Sequence, residues 1–169
     1  ADAMIALYFC KTEKRRQLLP EILRAEYGAP VQIIYGEGKP RAKNGEIFFN
    51  LSHSGGLCVI AVSPINVGVD TELLQTKHYK SILASLPAEE QREIAGDRSF
   101  FMHWTAREAY AKLRGIPIFA LHRRLMYASG SMRLDGKAVP EKIAFCFERG
   151  AVTAVCAENT DFVIKTFHE

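Results

Sequence analysis

Asp70 and Glu72 stand two residues apart in GVDTE, Gly68 to Glu72, at the end of an apolar run. If that run is a strand, its period of two turns both carboxylates to one face. Like charges there resist joint ionisation unless a cation or a basic group joins them. Two hard oxygen donors so placed suit magnesium; the plainer reading is a strand end showing its acids to water. A second set lies in FFMHWTAREAYAKLRG, Phe100 to Gly115, where Trp104, Glu108 and Lys112 recur at i, i+4 and i+8. A helix carries these three along one stripe, with Arg107 and Ala111 beside it. An ordinary amphipathic helix with a Glu-to-Lys pair worth roughly 0.2–0.5 kcal/mol accounts for the pair, but not for its coincidence with Asp70 and Glu72. A third set is FFNLSHSGG, Phe48 to Gly56, read as a strand ending in a polar loop with Ser52, His53 and Ser54. Hydroxyls, an imidazole and permissive glycines make a phosphate cradle, although a Ser-His neighbour pair is not by itself a catalytic dyad. Upstream, Gly38-Lys39-Pro40 sets a cation in a rigid loop.

The elements that must position these residues follow from periodicity and punctuation. Met4 to Cys10 reads as a buried strand. Thr12 is the expected N-cap of a helix carrying Leu18, Leu19, Ile22, Leu23 and Tyr27, with Gly28 ending it and Pro20 kinking or splitting it. Strands are expected at Val31 to Tyr35, Ile47 to Leu51, Leu57 to Ser63 and Val67 to Leu73. Helix returns from Lys77 to about Leu86, restarts near Pro87, and runs most strongly from Arg98 to Arg114 between Asp97 as cap and Gly115 as stop. Strand patterns then occupy Arg124 to Ala128, Ile143 to Glu148, Val152 to Glu158 and Phe162 to Phe167, with Asp135-Gly136 and Arg149-Gly150 as turns. Helices and strands are grouped rather than alternating, which argues for an α+β fold and against a doubly wound parallel sheet. Two halves of similar order meet near Pro64 to Val67, dividing the chain into residues 1–65 and an acid-bearing half, 66–169.

Composition sets the bounds. The chain has 169 residues, 48% hydrophobic and 24% charged, enough for a substantial core. No apolar run approaches the roughly 20 residues of a membrane helix, and the opening residues lack a signal-peptide pattern, so a cytoplasmic protein without a membrane partner is expected. Cys10, Cys58, Cys146 and Cys156 lie too far apart for the close pairs of structural zinc sites and read as reduced core residues. The net charge of +3 bunches at Lys11, Lys14, Arg15 and Arg16 and again at Arg123 and Arg124. It suits an anionic ligand or acidic partner as well as nucleic acid, and nucleic acid ranks last because no basic stripe is interleaved with exposed rings.

In this order and spacing, Gly38-Lys39-Pro40, Phe49 to Ser54, Gly68 to Glu72 and Trp104 to Lys112 with Gly115 resemble the surfactin-type 4′-phosphopantetheinyl transferases, in a short variant. The resemblance is densest from Gly38 to Gly115. It implies a pseudo-twofold α+β fold whose two similar halves clasp coenzyme A in the cleft between them. It implies magnesium held by Asp70, Glu72 and Glu108, with Glu108 also a general base. Lys112 would lie near the pyrophosphate, and Lys39 and His53 on the nucleotide phosphates with Ser52 beside them. Arg107 stands where the family commonly has a lysine, which keeps the charge but changes the donor geometry. Members commonly have more residues between the first strand and the first helix, a region that supplies basic contacts to the 3′-phosphate, and here Arg15 and Arg16, with Lys11 and Lys14, are expected to take that role. The implied reaction moves phosphopantetheine from coenzyme A to a serine of an apo acyl or peptidyl carrier protein, in a monomer whose cleft is complete. The rivals are a module that binds coenzyme A or a carrier without transfer, and a magnesium-dependent phosphohydrolase using water as nucleophile.

Overall fold

The computed structural model describes residues 4–75 and 79–168. In chain order the elements are β1 (Ile5–Lys11), α1 (Arg15–Tyr27), β2 (Ile33–Ile34), β3 (Arg41–Ala42), β4 (Phe48–Ser54), β5 (Leu57–Ser63) and β6 (Gly68–Leu73). Then come α2 (Lys80–Ser85), α3 (Ala88–Glu93), α4 (Asp97–Arg114), α5 (Ile118–Leu121), β7 (Leu125–Ala128), β8 (Ser131–Leu134), β9 (Lys137–Ala138), β10 (Lys142–Glu148), β11 (Ala151–Ala157) and β12 (Phe162–Lys165). The α+β expectation holds, and β3, α5, β8 and β9 are additions to it. The start expected for the helix at Lys77 lies outside the described residues.

Two sheets organise the molecule, one ordered β12-β1-β5-β4 and the other β10-β11-β6. In each, the second strand of a hairpin pairs antiparallel with a strand that precedes the packed helix, β5 with β1 and β11 with β6, with further helices and short strands of other sheets in between. The alternation of strand side chains builds the layers. Cys58, Ile60 and Val62 of β5 face α1 and its Leu18, Leu19, Ile22 and Leu23. Val59 and Ala61 face away, meeting Val69, Val155 and Ala157 of the second sheet and Val67 just before it. Ala154 and Cys156 of β11 in turn pack on Ala106, Ala109, Tyr110 and Leu113 of α4. The order is therefore helix, sheet, sheet, helix. That explains why β5 and β11 are buried along their whole length, each buried aliphatic side chain contributing about 1.5–3 kcal/mol.

Three details depart from the sequence reading. Thr12 does not cap α1; its hydroxyl donates to Gly55 O at 2.7 Å and ties the start of the helix to the β4–β5 turn. Pro20 neither splits α1 nor ends it. It lies on the exposed side of the helix, as does Arg16, whose carbonyl loses its helical donor. Finally, β12 returns to pair in parallel with β1, so the last strand joins the sheet of the first.

Candidate active site

Gly68 fixes where α4 sits. A Cβ at this position would lie 2.0 Å from Ala109 O and 2.6 Å from Leu113 N, so a bare backbone is what lets the helix lie directly on β6. Two and four residues on, the same face of β6 carries Asp70 and Glu72. Across from them α4 presents its half-buried stripe of Trp104, Glu108 and Lys112, on a helix otherwise buried nearly all round. The helical and strand periodicities thus bring together the two acids and the Glu-to-Lys pair that the sequence singled out.

The electrostatics of this seam are dominated by burial. Asp70 is 7% exposed, and desolvation pushes its carboxyl up to about 8, with Lys112 and the Ser52 hydroxyl acting against the rise and Glu108 and Glu72 adding to it. Its Oδ1 accepts from Ser52 Oγ at 3.0 Å and lies 3.9 Å from Lys112 Nζ; its Oδ2 is buried without a hydrogen-bond partner. Burial also raises Glu108, followed by opposition from Lys112 and a further rise from Glu72. An orphaned carboxylate oxygen beside two further acids is the donor chemistry of a hard divalent cation. Among the described residues no group of three or more His, Cys, Asp or Glu side chains is placed to hold an ion; Asp70, Glu72 and Glu108 share one electrostatic field across the seam.

Beside the acids opens a cleft of about 920 Å³. Arg15, Arg16, Lys39 and Lys112 line it together with Phe49 and Pro117, and no carboxylate does among the described residues. Gly38, at φ 87°, brings the Lys39 loop against Gly115, which closes α4 at φ 67°. Lys39 Nζ donates to Asn66 Oδ1 at 2.7 Å and Val67 O at 2.9 Å; burial lowers its ammonium to about 8. Lys112 joins the two regions: it lines the cleft, donates to Leu51 O at 3.0 Å and faces Asp70. Four cations around a cavity of this size, with apolar walls, suit an extended polyanion with an organic body.

Three sequence-expected contacts fall elsewhere. Ser52 and His53 lie on β4 rather than in a loop, because the strand runs on to Ser54. Ser52 is buried between β4 and β6 with Asp70 and the Thr71 N–H as partners. His53 is exposed on the other face of β4, opposite Cys58, and is not part of the cleft wall. Arg107 is 0% exposed and points into the interior rather than into the cleft. Its Nη1 bonds Glu90 Oε2 at 2.8 Å and Leu125 O at 3.0 Å, and its Nη2 donates to His122 O. Glu90, itself fully buried, also accepts from the Tyr127 N–H at 3.0 Å and faces His103 Nδ1 at 3.2 Å. Sequence reasoning missed Glu90 because nothing in AEEQRE distinguishes it from its exposed neighbours; the buried acid pairs a cation far along the chain.

Curated proteins similar to this chain include two 4′-phosphopantetheinyl transferases. The chain is 36% identical to the 4′-phosphopantetheinyl transferase psf-1 of Bacillus pumilus over 61% of its own length and 51% of that protein's. It is 33% identical to the 4′-phosphopantetheinyl transferase HetI of Nostoc sp. over 64% of its length and 54% of the relative's. This chain is similar to the 4′-phosphopantetheinyl transferases. It spans about half the length of these curated relatives. No protein-family model matches it. Among the described residues, no helix is long and apolar enough to cross a membrane.

Proposed function

We propose that the chain transfers the 4′-phosphopantetheine arm of coenzyme A to a serine hydroxyl of an apo carrier protein and releases 3′,5′-ADP. The observation that carries this reading is the position of Lys112, which lines the cation-rich cleft and lies 3.9 Å from Asp70 in the acid seam. Coenzyme A is an extended polyanion with a pyrophosphate between its nucleotide and its pantetheine arm. With the nucleotide phosphates on Arg15, Arg16 and Lys39, the pyrophosphate would reach Lys112 and the acids beyond it.

The carrier serine oxygen attacks the β-phosphorus, the bond from that phosphorus to the bridging oxygen breaks, and the serine proton must leave. Glu108 is suited to take it, because burial raises its pKa toward the working pH. Lys112 offers its charge to the departing diphosphate as negative charge grows there. A magnesium ion would be held by Asp70, Glu72 and Glu108, and when bound it supplies charge neutralisation across the pyrophosphate. The repeated pairing of a hairpin's second strand with a strand that precedes the packed helix supports a pseudo-twofold relation between the halves, with a monomer as the working unit and the cytoplasm as its setting.

The test is incubation with coenzyme A, magnesium and a small panel of apo acyl and peptidyl carriers, read by intact mass. A carrier that gains the phosphopantetheine mass supports the transferase. Coenzyme A bound with no mass gained on any carrier would establish the binding module instead. Coenzyme A cleaved without a carrier would point to a phosphohydrolase.

A further inference from the structure

The edge strands β4 and β6 of the two stacked sheets run side by side, yet they share no backbone ladder. An unpaired strand edge leaves alternate N–H groups without acceptors. Here β4 supplies the acceptors from its side chains. Asn50 Oδ1 accepts from Val69 N at 2.8 Å, Ser52 Oγ from Thr71 N at 3.1 Å, and Ser54 Oγ from Leu73 N at 3.2 Å. All three bonds span the same 19 residues, so the strands run alongside each other in a fixed register, with every second side chain of β4 standing in for a carbonyl.

The serines do more than close the edge. A hydroxyl can accept an N–H and still donate its own proton, and both use that capacity. Ser52 Oγ donates to Asp70 Oδ1 at 3.0 Å and Ser54 Oγ to Glu72 Oε2 at 3.2 Å. Each serine is therefore bonded to the carboxylate of one β6 residue and the backbone N–H of the next. Asn50 has no such partner to serve, since the corresponding β6 residue is Gly68. The pattern N-x-S-x-S on β4 mirrors G-x-D-x-E on β6.

We propose that Ser52 and Ser54 are positioning residues that hold the carboxylates of Asp70 and Glu72 in the orientation phosphoryl transfer requires. This rests on the transferase reading above. A carboxylate swings about its χ angles unless something fixes it, and a misplaced group costs rate rather than binding. The serine-to-carboxylate bonds tie that orientation to the register of the two sheets. Ser54, half-buried, is the better place to probe; Ser52 is buried and less tolerant of change.

The experiment compares the full chain with Ser54→Ala, Ser54→Thr and Ser52→Ala. The first readout is transfer kinetics on an apo carrier, and the second is amide hydrogen exchange of Val69, Thr71 and Leu73. Ser54→Ala is expected to lower kcat roughly tenfold while KM for coenzyme A stays within about twofold. It should also speed exchange at Leu73 and leave Val69 unchanged. Ser54→Thr, which keeps a hydroxyl, should restore both. Faster Leu73 exchange with wild-type kcat would overturn the positioning role and leave the serine as strand glue. A loss confined to KM would overturn it too. A full chain that modifies no carrier defeats the transferase reading itself, and that result is separable because it does not depend on any serine variant. Should Ser52→Ala not fold, the Ser54 pair carries the test alone.

Discussion

Lys112 Nζ lies 3.9 Å from Asp70 Oδ1 while donating to Leu51 O at 3.0 Å. One ammonium, at the end of a flexible stem, therefore touches the first half of the chain and the acid of the second while lining the cleft. Its charge lowers Asp70 against the rise from burial. A cation placed between a buried acid and a cleft lined by other cations can follow charge as it moves onto a leaving group.

Lys112→Ala should therefore lower turnover roughly a hundredfold, with coenzyme A affinity changed by only about two- to threefold. Steady-state transfer kinetics and calorimetric titration of coenzyme A separate the two quantities. A defect in affinity alone would make Lys112 a binding group.

Asp70 predicts a pH dependence of stability in metal-free protein. Its folded carboxyl sits at about 8, above the roughly 3.9 of an unfolded aspartate. The folded state therefore holds its proton more tightly than the unfolded state. The resulting stability is fully present below about pH 4 and is lost as pH rises through 8. Asp70→Asn removes this slope. With chelator present, wild type should lose melting temperature relative to Asp70→Asn on going from pH 5 to pH 8, and parallel curves across that window would show that Asp70 titrates normally.

Much of this site was legible in the sequence because its spacing is local. GVDTE placed two acids on one strand face, and Trp104, Glu108 and Lys112 emerged as the half-buried stripe of α4, both from periodicity alone. What stayed hidden is non-local. Nothing in SHSGG said that β4 would run through Ser54 and turn its serines toward a second sheet, because strand length there is set by pairing with β5. Arg107 neighbours Glu108 on the helix, but one residue is a turn of about 100°, enough to carry its guanidinium into the interior. α5 escaped because IFAL makes a single turn, too short for a period to register.

The Glu90 and Arg107 pair should be costly to break. Both side chains are 0% exposed, and the guanidinium also binds two backbone carbonyls. Replacing Glu90 with Ala strands a buried cation and removes the acceptor of the Tyr127 N–H. A loss of about 3–5 kcal/mol is expected in chemical denaturation. Arg107→Lys should also destabilise, since a single ammonium cannot reproduce the guanidinium fork. A loss below about 1 kcal/mol for Glu90→Ala would mean that water reaches the pair.

Gly68 offers the sharpest link between sequence and site. Its φ lies outside the left-handed region, so alanine is acceptable to the backbone there and the whole effect of Gly68→Ala comes from space. The new methyl would meet the Ala109 carbonyl at 2.0 Å and the Leu113 nitrogen at 2.6 Å. These are helix backbone atoms, which cannot rotate aside as a side chain can. α4 must move away from β6, at a cost of about 1–3 kcal/mol or more. The same movement carries Glu108 and Lys112 away from Asp70 and Glu72. Gly68→Ala should therefore lose turnover at temperatures where circular dichroism shows it fully folded. Asp70 should also titrate differently once Lys112 no longer faces it, which carboxylate NMR can follow. Full activity in a folded Gly68→Ala protein would show that the reaction does not need α4 seated this closely on the strand.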